Sequence, residues 1–134
     1  MTASGYALAN AVDAGAFHAN AATTTTGQGT GVDLNDFEGV IVLTLDSVAP
    51  TGTTPTMANT FEESDDNSTG WTAVPAAAFN EGSDFTALTT AASRQLRHLD
   101  VTARKRYMRE VHTIGGTTPS YTYSLTAIGK KKYR

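Results

Sequence analysis

Gly39-Val40-Ile41-Val42-Leu43-Thr44-Leu45-Asp46-Ser47-Val48 is the most apolar stretch of this chain. It is short and rich in β-branched side chains. Glu38 precedes it, and Pro50-Thr51-Gly52 follows it. A run of this length with these ends reads as a strand, because β-branched residues lose χ1 freedom in a helix and pack well on a pleated surface. With apolar residues at almost every position, it is expected to be buried on both faces at the centre of a sandwich.

Working outward, further strands follow at short intervals. Upstream, Thr23-Thr24-Thr25-Thr26 stops at the turn signal Gly27-Gln28-Gly29. Downstream, residues 56–64 alternate, with Met57, Asn59, Phe61 and Glu63 on one face. A polar turn over 64–68 leads to a return strand carrying Trp71, the only tryptophan and an expected core or rim anchor. Leu96, His98 and Asp100 alternate with Arg97, Leu99 and Val101. Residues 104–114 divide by parity into Lys105, Tyr107, Arg109 and Val111 against Arg106, Met108, Glu110 and Ile114. Gly115-Gly116-Thr117-Thr118-Pro119 reads as a turn, and residues 121–128 as a closing strand.

About eight strands spaced roughly ten residues apart indicate an all-β fold, a jelly-roll-like antiparallel β-sandwich. No linker divides the chain. The expected organisation is an extended N-terminal arm at 1–20 and one β-sandwich domain at 21–134. In the arm, Tyr6, Leu8, Val12 and Phe17 follow neither a strand nor a helix period, although Leu8, Val12 and Ala16 would suit one short helix. A frayed end and a segment that orders on a neighbour are both open readings.

Composition narrows the chemistry. With 134 residues and no cysteine, the chain can form one modest core, and it has no disulfide and no thiolate metal site. No basic leader and no long apolar run suggest export or membrane insertion. The net charge of −3 hides a division. Residues 1–93 carry eleven acidic side chains and no Lys or Arg, whereas residues 94–134 carry ten basic and two acidic ones. Either the strands interleave and neutralise these charges, or the fold presents acidic and basic patches that steer assembly.

Catalytic parts are sparse. His18, His98 and His112 show no metal-ligand spacing, though His98 and His112 would meet if their strands paired. Glu62-Glu63-Ser64-Asp65-Asp66-Asn67 lacks the spacing of a calcium loop and reads as a solvated turn. There is no nucleophile elbow, phosphate loop or dinucleotide fingerprint. The basic and aromatic residues 104–109 and 130–134 have the look of a nucleic-acid binder, but eleven carboxylates elsewhere would oppose phosphate. The expectation is a protein without catalytic residues, cofactor, metal, nucleic-acid partner or membrane partner.

Two stretches carry a resemblance. One is Phe61-Glu62-Glu63-Ser64-Asp65-Asp66-Asn67-Ser68-Thr69-Gly70-Trp71-Thr72-Ala73-Val74. The other is Lys105-Arg106-Tyr107-Met108-Arg109, followed by Ile114-Gly115-Gly116-Thr117-Thr118-Pro119-Ser120 and a last strand. Together they resemble the small decoration, or cement, proteins of tailed-bacteriophage heads, over residues 61–128. The resemblance implies a jelly-roll-like subunit, often trimeric, that binds the major capsid protein across capsomers. It would be assembled in the host cytoplasm and end on the outer surface of the virion.

On that reading the candidate capsid or subunit contacts are the arm residues Tyr6, Leu8 and Phe17 and the basic residues Arg104, Arg106, Lys130, Lys131 and Lys132. The alternative is a carbohydrate-binding or tail-fibre module using Trp71, Tyr121 and Tyr123 as a stacking platform.

Overall fold

Alternation along the apolar stretch decides which way each side chain points. In the computed structural model, which describes residues 11–132, Phe37–Ser47 forms strand β4. Phe37, Ile41, Leu43 and Leu45 point inward and are buried. The other strands are β1 (Val12–Thr23), β2 (Gly27–Gln28), β3 (Val32–Asp33), β5 (Thr51–Ser64), β6 (Thr72–Ala73), β7 (Ser93–Asp100) and β8 (Tyr107–Lys131). Every pairing between them is antiparallel. Among the described residues, short 3₁₀ turns at Leu34–Asp36, Ala76–Ala78 and Val101–Ala103 complete the regular structure. The all-β expectation holds.

The spine is β8, 25 residues long. Along one side run β4 and β5 in succession, from Phe37 beside Lys131 to Ser64 beside Tyr107. Along the other side run β1, β2 and β3, from Val12 beside Lys130 to Asp33 beside Tyr107. A straight strand of this length would span about 80 Å. Yet Asp33 lies beside one end of β8, and Phe37, four residues on, lies beside the other. Four residues reach at most about 14 Å, so the ribbon must be folded over on itself.

The fold-over makes two sheets that share β8. The front sheet has the order β1, the second half of β8, β4, β7. The back sheet places β2 and β3 on one side of the first half of β8, with β5 and β6 on the other. Between them lies one core, in which Phe17, Phe61, Phe79, Leu99, Met108 and Leu125 are all sealed. Phe17 meets Phe61 edge-on at 5.4 Å. Such aromatic pairs add to the stabilisation that comes from burial.

Three expectations are corrected. The apolar strand is buried on one face only. Val40 is 46% exposed and Val42 half-buried, because no described element covers the outer side of the front sheet. Residues 115–119 do not reverse the chain: Gly115 and Thr117 remain paired to β5, and β8 bends through them. The expected arm boundary at 20/21 falls inside β1, which is a core strand from Val12 onward, so Phe17 is a core residue of its own domain rather than an anchor for a partner. Tyr6 and Leu8 lie outside the described residues.

The bend has a sequence signature. Gly52-Thr53-Thr54-Pro55 on β5 and Gly116-Thr117-Thr118-Pro119 on β8 are the same tetrapeptide. They cross antiparallel with Thr53 opposite Thr117. Both glycines and both second threonines have positive φ, which is how the two strands turn the corner together.

Candidate interaction surface

The charge division resolves through register. Because β7, β8 and the segment between them lie against the acidic strands, the basic side chains of the last part of the chain meet carboxylates from the first part. Arg104 Nη1 lies 2.7 Å from Glu63 Oε2, Arg109 Nη2 2.8 Å from Glu62 Oε1, and Arg106 Nη2 2.9 Å from Asp33 Oδ2. Arg94 bonds Asp46 at 3.1 Å, and Lys130 lies 3.6 Å from Glu38. Interleaving therefore neutralises these five cations, which corrects the expectation that Arg104 and Arg106 serve as free contact groups. Arg104 and Glu63 are mostly shielded from solvent, whereas Arg94 and Asp46 are open to it.

Lys131 and Lys132 remain exposed at the end of β8. Lys132 joins Arg104, Lys105 and Arg106 around a cavity of about 300 Å³ floored by Leu34 and Phe37. The cavity marks where the chain crosses from the back sheet to the front sheet. Its arginines are already bound to Glu63 and Asp33, so it is not a strongly cationic pocket.

The candidate stacking aromatics do not form a platform. Tyr121 and Tyr123 are fully buried, with their hydroxyls bonded to Thr89 O at 2.8 Å and Glu110 Oε1 at 3.2 Å. Burial, together with the Glu110 carboxylate, pushes the Tyr123 hydroxyl far above the ordinary tyrosine range. Trp71 is half-buried, with the Arg109 guanidinium 4.1 Å from its ring centroid. The turn after β5 is organised by Asp66, whose carboxylate accepts from Ser64 Oγ, the Ser68 and Thr69 amides and Thr69 Oγ1. Those bonds hold it well below the usual carboxylate range.

Sequence reasoning missed an interior polar cluster. Glu110 is fully buried and accepts from His112 Nδ1 at 2.8 Å, Tyr123 and Asn59 Nδ2. His18 stacks on Tyr123 at 3.8 Å and lies 5.9 Å from His112. His112 thus meets His18, while His98 on β7 pairs with Glu81 in the turn after Phe79. The available signal was parity, which puts Glu110 on the same face as Met108 and Ile114. Among the described residues, no three His, Asp or Glu side chains are grouped as a metal site.

The outer face of the front sheet is the conspicuous surface. Register puts Val12, Ala14 and Ala16 of β1 beside Lys130, Ile128 and Thr126 of β8. Next come Val40, Val42 and Thr44 of β4, and then Asp100, His98 and Leu96 of β7. Val12 is 38% exposed, and Leu96 and Ile128 are each 49% exposed. Four of the five exposed large hydrophobics among the described residues, all but Val48, lie on this one face. In its two central rows His98 is the only titratable side chain. Apolar surface gathered in this way, rather than scattered singly, marks an interaction site.

No family model matches this chain, and no curated protein matches it. Among solved structures it is similar to the crystal structure of the SPBc2 prophage-derived protein YomS. The likeness has a TM-score of 0.49 and 16% sequence identity, and it covers 88% of this chain and 93% of that one.

Proposed function

We propose that this chain is a structural subunit of a bacteriophage virion that decorates the head and reinforces it by burying surface in the assembled particle. The observation that carries this reading is the exposed apolar outer face of the front sheet. A strand as apolar as β4 gains burial on its inner side from its own core, and among the described residues none covers its outer side. The likeness of residues 61–128 to head decoration proteins supplies the identity of the particle. In the same reading, Lys131 and Lys132, with Tyr6 and Leu8, are left to contact the major capsid protein. Many copies on a lattice make weak individual contacts effective, because neighbouring contacts hold each copy at high local concentration.

The test is binding to purified phage heads stripped of their decoration. Wild-type protein should saturate the heads. The double variant Leu96→Lys, Ile128→Lys should fold normally and fail to do so. Saturation by that variant would remove the face from the reading, and absence of wild-type binding would reject decoration altogether.

A further inference from the structure

Resting on the reading of this face as an assembly surface, we infer that the layer covering it is the same face of a second copy, packed sheet on sheet about a two-fold axis perpendicular to the strands. Charge placement carries the inference. At one end of the face lie Lys130 on β8 and Asp100 on β7, with Glu38 beside Lys130. At the other end lie Asp46 on β4 and Arg94 on β7, which bond each other at 3.1 Å but stay open to solvent and so to a second partner. Such an axis keeps each strand over its own copy and exchanges the two ends. Asp100 of one copy then meets Arg94 of the other, and this happens twice. Lys130, over Ser124, comes beside the partner's Asp46.

A face whose two ends carry these complementary groups is matched to itself, as an isologous contact requires. Between the ends, Leu96 would lie over His98 and Ile128 over Thr126, with the Glu81 carboxylate that bonds His98 at 2.6 Å at the β7 edge of the contact. Aligned sheets pack in this manner at about 10 Å separation. The footprint is four strands by seven residues, roughly 400 Å² in projection. That lies at the small end of specific interfaces, so the pair forms reversibly at high protein concentration and is favoured on a lattice. A trimer formed through other surfaces would still leave this contact free.

Sedimentation velocity between about 10 μM and 1 mM tests the inference in the absence of heads. Wild type should shift from monomer towards dimer. Leu96→Lys with Ile128→Lys should stay monomeric, and so should Arg94→Asp. Combining Arg94→Asp with Asp100→Arg should restore the dimer. Asp100 also caps the turn that follows β7, through a bond from the Thr102 amide. A second measurement therefore avoids altering it. The chain has no cysteine, so Thr126→Cys gives a single thiol beside the axis, and a short bismaleimide should join two chains through it.

A wild type that stays monomeric, with a Thr126→Cys variant that does not cross-link, overturns the inference, and so does a dimer unaffected by the face substitutions. If the face variants still lose head binding in that case, the decoration reading stands and the capsid itself covers the face. If the dimer forms but heads are not bound, the dimer stands and decoration fails.

Discussion

Gly52 and Gly116 occupy equivalent places on the two strands that turn the corner between the sheets. Their φ values are +110° and +106°. A Cβ on Gly52 would stand 2.7 Å from Thr118 O, and one on Gly116 would stand 2.7 Å from Thr54 O. Each glycine is therefore held both by its own backbone conformation and by the other strand's carbonyls. The corner that converts one long ribbon into a sandwich depends on both residues.

Gly116→Ala and Gly52→Ala should each destabilise the fold by about 1–3 kcal/mol from backbone strain, with the carbonyl clash adding to this. Gly70→Ala also has positive φ but nothing within 4 Å of its Cβ position, and should cost less. Urea denaturation of the three variants gives the comparison.

Removing the buried carboxylate should be more costly. Glu110→Ala leaves His112, Tyr123 and Asn59 without their shared acceptor and is expected to cost about 3–5 kcal/mol. Glu110→Gln keeps an acceptor oxygen and should recover part of that loss. Chemical denaturation at pH 7 measures both.

The ion pairs between the two parts of the chain should differ by their exposure. Arg104→Ala strands the shielded Glu63 carboxylate and should cost about 3 kcal/mol. Arg94→Ala breaks an open pair and should cost less than about 0.5 kcal/mol, a loss that added salt reduces further. Thermal melts in low and high salt distinguish the two.

Asp84 gives a pH-dependent prediction. Burial raises its pKa above the ordinary aspartate value of 3.8, the Arg97 charge works against this, and its Oδ1 is buried without a hydrogen-bond partner. A carboxyl whose folded pKa is raised binds its proton more tightly in the folded state. Its contribution is therefore fully present below pH 3.8 and is lost as pH rises through the folded value. Asp84→Asn should be more stable than wild type at pH 7, by about 0.5–1 kcal/mol once solvent screening is allowed for. The difference should vanish near pH 3, which paired melts at the two pH values would show.

Much of the fold is legible from local pattern. The period-two alternation of residues 56–64 put Met57, Asn59, Phe61 and Glu63 on one face of β5, and the structure buries that face. The stretch 39–48 was legible as a strand, but expected to be buried on both faces, because alternation is hidden where nearly every residue is apolar. Local pattern failed at 115–119, where two glycines and a proline read as a reversal. Only the matching tetrapeptide on β5 allows both strands to bend while staying paired. The candidate surface was hidden for a related reason: an apolar strand looks the same in sequence whether its second face is covered by its own chain or awaits another.

By itself, then, the sequence determined the all-β class, most of the strands and a chain acidic in its first part and basic in its last, because these follow from residue type and from a period set by backbone geometry. Tertiary structure decided the rest. The folding over of β8 set which carboxylate meets which cation, so most of the divided charge closes into internal pairs. It sealed Phe17, Tyr121 and Tyr123 inside, and left Val12, Val40, Leu96 and Ile128 together on one open face. Those outcomes depend on partners far apart in the chain, and no local pattern encodes distance in space.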